Sequence, residues 1–340
     1  MRGVLLRRAP TADHDLSLTI RGRRWVLDRL GPLGRALRDA KARRRAVEVA
    51  PSAPAPATPE IVERLEVLER RVRATQALVA RTYEQAQDWP AKVAAARAAP
   101  DYEAPYGPEP LMSVPIPTYN RAELLCERAL ASLRRQTYEN WEALVIGDCC
   151  TDDTEERIRA IGDPRIRFEN LPFRGPYPAD PEELWQVAGV YGSNRAAEIA
   201  RGEWIARLDD DDEWDDDHLE VLLAHARETH AEVAYAKWRI RDARNQRLLG
   251  GSFGMWPVTD GHFAFQAAIV HIGLRAVPFD PNTHLAGEPG DLNRARRLWD
   301  AGVRFAYLDR PVSTIWHSPR SEEAVAWLDG LAESQGYVDG

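Results

Sequence analysis

Trp204-Ile205-Ala206-Arg207-Leu208-Asp209-Asp210-Asp211-Asp212-Glu213-Trp214 sets four consecutive aspartates directly behind a short apolar run. The apolar half reads as a buried strand over 204–208, so the acids fall at its carboxyl end, where open α/β sheets bind their ligands. Carboxylates packed this closely repel one another unless a cation offsets them, and hard divalent cations prefer oxygen ligands. The run therefore suits Mg2+ or Mn2+, bridging two phosphates as a Lewis acid. Its other reading is a solvated acidic loop.

Outward from this stretch, apolar runs alternate with amphipathic ones, the pattern of an α/β sheet. Strands are predicted at 112–116, 143–147, 166–169, 233–239, 267–271 and 303–308. Helices are predicted at 122–135, 154–161, 192–200, 216–229 and 291–301. Two further strand ends carry polar groups. Val114-Pro115-Ile116-Pro117-Thr118-Tyr119-Asn120-Arg121 runs from a strand through a proline-fixed turn that can offer an aromatic ring to a flat base. Ala143-Leu144-Val145-Ile146-Gly147 is followed by Asp148, which can accept from the imide N–H of a pyrimidine, while Asp152, Asp153 or Thr154 caps the next helix. A fourth stretch, His284-Leu285-Ala286-Gly287-Glu288-Pro289-Gly290-Asp291, ends at a helix start. There a carboxylate can serve as a general base for a hydroxyl or simply as an N-cap.

Read together and in this order, with Asn194-Arg195-Ala196-Ala197 before the acidic run, the motifs resemble glycosyltransferase family 2. The resemblance covers 113–316, about 60% of the chain. It implies a GT-A fold, a Rossmann-like mixed sheet flanked by helices, and transfer of a sugar with inversion from a nucleotide diphosphate donor. A UDP-sugar is favoured as donor, and the acceptor is the hydroxyl of a glycan or cell-surface polysaccharide precursor. It implies that Pro117, Thr118, Tyr119 and Arg121 frame the nucleotide, with Asp148 on the base. Asp210 corresponds to the ribose contact and Asp211 to the metal ligand, with Asp209 the alternative if the register slips by one. Asp291 corresponds to the general base, with Glu288 as fallback, and His317 to a C-terminal metal or phosphate contact, its other reading being a surface histidine. The family commonly has two acids and Gly-Ser after the second strand, where this chain has Gly147, Asp148, Cys149 and Cys150. Its usual Glu-Asp pair is here split by Pro289-Gly290. The rival reading is a catalytically degenerate domain serving as a scaffold. A nucleotidylyltransferase would need a Gly-rich phosphate loop that Pro117-Thr118-Tyr119-Asn120 does not provide.

The remaining sequence surrounds this domain, assigned to 111–320. With 340 residues, 44% of them apolar, the chain can hold one large domain and an appendage. A net charge of −8 argues against wholesale nucleic-acid binding, although residues 1–50 carry 13 Lys and Arg against five Asp and Glu. There Trp25-Val26-Leu27, Leu30, Leu33 and Leu37 lead into the cluster from Lys41 to Arg45. This is either an amphipathic helix for an anionic membrane surface or a solvated basic tail. No stretch approaches the roughly 18 to 20 apolar residues of a membrane span, and the start lacks a signal peptide's apolar core. The expected location is cytoplasmic, with peripheral contact at the inner face of the membrane through 1–50. A Pro/Ala linker follows at 51–59 and a helical extension at 60–99. There Ile61, Leu65, Leu68, Val72, Thr75, Val79 and Thr82 recur at spacings of four and three. The repeat fits a coiled-coil seam for self-association over 60–83, or one helix packed on the catalytic domain. A Pro-rich linker is expected at 100–110 and a C-terminal helix or tail at 321–340. Trp238 and Trp256 read either as core or as platforms for a sugar ring. Cys126, Cys149 and Cys150 have neither the number for a disulfide framework nor zinc spacing and are expected as thiols.

Overall fold

The computed structural model describes residues 59–258 and 262–317. The segments expected at 1–50 and 321–340 lie outside them, as does the linker expected at 51–59 except for its last residue. Two compact units divide the chain, Met1–Glu66 and Val67–Gly340, and every strand among the described residues belongs to the second.

Strand β1 (Met112–Thr118) pairs in parallel with β2 (Trp141–Gly147), and β2 with β3 (Ile166–Asn170). On its other side β1 meets β4 (Trp204–Ile205) in parallel. Beyond β4 come β8 (Ala268–His271), β6 (Val233–Asp242), β9 (Phe305–His317) and β5 (Glu213–Trp214), while β7 (Leu248–Phe253) flanks β6. Strand β8 is antiparallel to both its neighbours, so the sheet is mixed. The register of β1 on β2 ends with Thr118 opposite Gly147, which brings Tyr119 and Asp148 out side by side.

The central strands are apolar on both faces because both are covered. Along β2, Trp141, Ala143 and Val145 pack with Leu125, Leu130, Leu133 and Leu222, and the alternate Leu144 and Ile146 pack with Ala196 and Ala200. The first face is covered by Leu125 and Ala129, which follow α3 (Ala122–Leu124), and by α4 (Leu130–Arg134), α5 (Thr154–Ile161) and α8 (His218–Thr229), the second by α7 (Val190–Ile199). Further along the sheet, α9 (Gly290–Asp300) brings Ala295 and Leu298 onto Val233, Tyr235 and Phe265. This is the mixed α/β sheet flanked by helices that the sequence predicts. No helix among the described residues is long and apolar enough to cross a membrane.

Several expectations need correction. The helix over 122–135 is broken by a π-turn at Leu125–Ala129. The strand predicted at 204–208 pairs as a ladder only at Trp204–Ile205, although Ala206 and Leu208 still donate to Ser113 and Pro115 carbonyls at 3.0 and 3.1 Å. The strand predicted at 303–308 runs on to His317, because a register shift lets Pro311 sit opposite Lys237. A short helix, α6 (Pro181–Val187), and strands β5 and β7 had no counterpart in the prediction.

The single helix expected over 60–99 is two, α1 (Pro59–Gln85) and α2 (Trp89–Arg97), separated at Asp88, whose φ of 48° is left-handed. Val93 of α2 is buried in the core. Nor is 100–110 a linker. Tyr102 is buried and its hydroxyl donates to Glu232, Trp204 Nε1 donates to the Pro105 carbonyl at 2.7 Å, and Tyr138 donates to that of Pro110. Trp238 is core, 5% exposed, whereas Trp256 is 50% exposed and touches Trp299 edge-on.

Candidate active site

The level ends of β1 and β2 build one corner. The Asp148 amide donates to the Thr118 carbonyl at 2.8 Å, fixing the two loops together. The buried Asp148 carboxylate accepts from the Gly175 amide at 3.3 Å and lies 3.5 Å from Arg174 Nε. The Arg174 guanidinium rests over the Tyr119 ring, 3.7 Å from its centroid. The corner thus offers an acceptor, a flat ring and a planar cation. Pro117 packs beneath it against α7, at Gly189 and Gly192.

The unusual loop after β2 has a physical explanation. A Cβ at Gly147 would lie 2.6 Å from Asn170 Oδ1 and 3.1 Å from the Phe168 ring, so an acid does not fit there. Cys149 takes the left-handed conformation, φ 62°, that a glycine would adopt freely. Cys150 is held at both backbone groups by the Asn170 side chain, at 2.8 and 2.9 Å. The turn shape that favours glycine is retained without one.

The four aspartates take four different environments. Asp210 is buried and accepts from Thr118 Oγ1 at 2.7 Å and from Arg121 at 3.2 Å. Asp211 accepts from the same Arg121 nitrogen at 2.6 Å, and its side chain is the more open of the two, 31% exposed against 8%. Asp212 turns inward and caps the Trp316 amide at 2.9 Å. Burial raises the pKa of all three, to about 6 at Asp210 and well above the usual range at Asp212, and the Asp211 charge adds to both. Asp209 faces away from Arg121. It pairs with Arg207 Nη2 at 2.8 Å and accepts from Gln266.

Arg207 joins the halves of the site. Its side chain is only 10% exposed, and Nη1 meets Asp291 Oδ1 at 2.8 Å while Nη2 holds Asp209. Asp291 opens α9, and its second oxygen accepts from the Phe265 amide at 3.4 Å. Burial raises the Asp291 carboxyl, and Arg207 only partly offsets this. Glu288 is engaged elsewhere. Arg296 binds it at 2.9 and 2.8 Å and Asn293 at 2.8 Å, so after the burial penalty these bonds hold its carboxyl below the usual range. His317 closes β9 opposite Asp242 in the ladder with β6, one residue beyond Trp316.

The family model for Glycosyl transferase family 2 matches residues 113–179 and 188–266, the stretch that contains Thr118, Asp148 and the acidic loop. This stretch belongs to that family. The Escherichia coli K12 protein WcaA, provisionally assigned as a colanic acid biosynthesis glycosyl transferase, is 36% identical over 126 residues, which are 36% of this chain and 40% of that one. The E. coli UDP-Glc:alpha-D-GlcNAc-diphosphoundecaprenol beta-1,3-glucosyltransferase WfgD is 30% identical over 141 residues, 41% of this chain and 49% of that one. The chain therefore spans less than half the length of these two relatives. Among solved structures, S. aureus TarS 1-349 in complex with UDP aligns with a TM-score of 0.48 and 20% identity, covering 65% of this chain and 64% of that one.

Asp291, Glu288 and His317 lie beyond the matched stretch, and only the folded chain brings Asp291 to the acidic loop. The donor set suits magnesium or manganese. It consists of carboxylate oxygens, those of Asp211 being more accessible than those of Asp210, and both side chains already share one cation, Arg121. Among the described residues no three His, Cys, Asp or Glu side chains form a closed cage. Arg207, Arg128, Arg174 and Gln266 escaped the sequence reading. Arg207 had a signal, a charge inside an apolar strand. Arg128 reaches the Asp211 carbonyl at 2.6 Å and stacks on Trp316 only because the π-turn rotates it there.

Proposed function

We propose that this chain is an inverting glycosyltransferase that moves a sugar from a nucleotide diphosphate donor, favoured as a UDP-sugar, to a hydroxyl of a glycan or cell-surface polysaccharide precursor. The observation that carries the reading is the Asp209–Arg207–Asp291 bridge, which fixes a proton-accepting carboxylate beside the acidic loop. In this reading the base rests against Tyr119 and Arg174 with Asp148 on its imide, and Asp210 takes the ribose. The name of the relative WfgD, with its UDP-glucose donor and lipid-diphosphate-linked acceptor, supports both the donor and the acceptor class.

The acceptor oxygen attacks the anomeric carbon opposite the diphosphate, and the C–O bond to the diphosphate breaks as the new one forms. Asp291 takes the hydroxyl proton. Its raised proton affinity suits a base, and Arg207 keeps the carboxylate oriented. Glu288 is occupied by Arg296, which favours Asp291 for this role. A divalent ion held at Asp211, with His317 as a further contact, supplies Lewis-acid stabilisation of the departing diphosphate when bound.

The test is a hydrolysis screen of UDP-, dTDP- and GDP-sugars with manganese, paired with calorimetry of UDP. Release of UDP from a UDP-sugar is expected, with Asp211→Asn suppressing it. Absence of binding to every nucleotide diphosphate, or near-normal metal-dependent turnover in Asp211→Asn, would overturn the reading.

A further inference from the structure

Helix α1 is anchored at its end and exposed along its apolar stripe. In its last turn the Glu84 carboxylate accepts from Arg296 at 2.8 and 3.0 Å and lies 3.4 Å from Asn293 Nδ2. Arg296 and Asn293 belong to α9, the helix that opens with Asp291. The stripe itself carries large apolar residues in solvent, with Val79 51%, Leu78 66% and Tyr83 60% exposed.

Two polar residues interrupt the seam, and the structure shows how each is accommodated. Thr75 donates its hydroxyl to the Arg71 carbonyl at 2.9 Å and Thr82 to that of Leu78 at 2.8 Å, inside their own helix. With the hydroxyls satisfied, the threonine methyls remain for packing.

We propose that a second copy of this chain covers this stripe, forming a parallel two-stranded coiled coil along α1. The spacing makes Leu65, Val72 and Val79 one set of core positions and Ile61, Leu68, Thr75 and Thr82 the other. In a parallel pair, each residue just before the first set faces the residue five places on in the other copy. Arg64 then meets Glu69, Arg71 meets Gln76, and Leu78 meets Tyr83. These are an opposite-charge pair, a cation beside a neutral amide, and an apolar pair, with no like charges opposed. Glu84 falls on the outer side of this wheel, so pairing leaves its bonds to Arg296 intact. Both catalytic domains then sit at the same end of the rod, each tied by Glu84 to its own α9.

Sedimentation equilibrium of the full chain, from micromolar to hundred-micromolar concentrations, is expected to give twice the chain mass. Val72→Glu combined with Val79→Glu places carboxylates in the seam and should weaken the dimer on the order of a hundredfold. Thr75→Leu with Thr82→Leu should tighten it about tenfold, which keeps the test sound if the Glu variant misfolds. Val79→Cys should cross-link on oxidation beyond the wild-type background, since that position, near one end of the seam, meets itself only in the parallel arrangement. A wild type and Leu variant that both stay monomeric, a dimer indifferent to the Glu pair, or a dimer in which Val79→Cys fails to link would each overturn the proposal.

Discussion

Replacing Arg207 by methionine keeps the length of the side chain and removes the one charge shared by Asp209 and Asp291. The arginine is 10% exposed, and each of the two carboxylates is 23% exposed, so little water replaces the lost partner. Removing one member of a buried ion pair typically costs about 3–5 kcal/mol, and the partial exposure of the acids places this case near about 3. For a domain of this size that corresponds to a fall in Tm of roughly 6–12 °C. The deficit should depend on pH. Asp291 already holds its proton more tightly in the fold than in the unfolded chain, and losing Arg207 strengthens that preference. A raised carboxyl stabilises the fold when protonated, and this contribution is lost as pH rises through the folded value. The variant should therefore recover part of its loss between pH 7 and pH 5. Urea titrations followed by circular dichroism at both pH values measure this directly. A second substitution, Asp291→Asn in the Arg207→Met background, should restore at least about 1 kcal/mol through the coupling of the pair. A loss below about 1 kcal/mol at pH 7, or equal losses at both pH values, would refute the claim that these carboxylates depend on Arg207.

Asp291→Asn alone should lower transfer by about 10²–10⁴-fold while UDP affinity, read by calorimetry, changes little. Cys149→Gly relieves the left-handed backbone at φ 62° and should stabilise the protein by about 0.5–1 kcal/mol, the rest being lost to unfolded-chain entropy. Gly147→Ala drives a methyl toward Asn170 and Phe168 and should cost about 1–3 kcal/mol in the same denaturation assay. Burial alone would raise the Glu232 carboxyl, yet Arg97, the Arg304 amide and Tyr102 hold it at about 2. Its stabilisation, about 3 kcal/mol, is present above the unfolded value near 4.5 and lost as pH falls toward 2. Acid titration of Glu232→Gln should show that this part of the acid transition is missing.

The strands that carry the site were legible because their periodicity and their polar ends lie within single short stretches. Thr118, Asp148 and the aspartates each follow an apolar run, and the sheet need only align those runs for the polar ends to meet. What was not legible depends on groups distant in sequence. Arg207 looks out of place in its strand until Asp291, 84 residues later, comes to meet it. The π-turn has no local signature, since its residues suit an ordinary helix, and its visible effect is Arg128 on the Asp211 carbonyl. Pro311 reads as a strand terminator, and only the register shift against β6 lets β9 continue past it. The prolines of 100–110 suggested a spacer, although Tyr102 and Tyr106 were the better guide, being large aromatic rings that a solvated spacer does not need.

That last stretch has a practical consequence for anyone cutting the gene. A fragment begun at Leu111, where the strands start, would lack Arg97 and Tyr102, leaving Glu232 buried with the Arg304 contacts alone among its charged and hydroxyl partners. It would also open the Trp204 indole, whose N–H now rests on Pro105. The smallest piece to express independently begins before Trp89, and shorter versions should be recovered mainly as inclusion bodies.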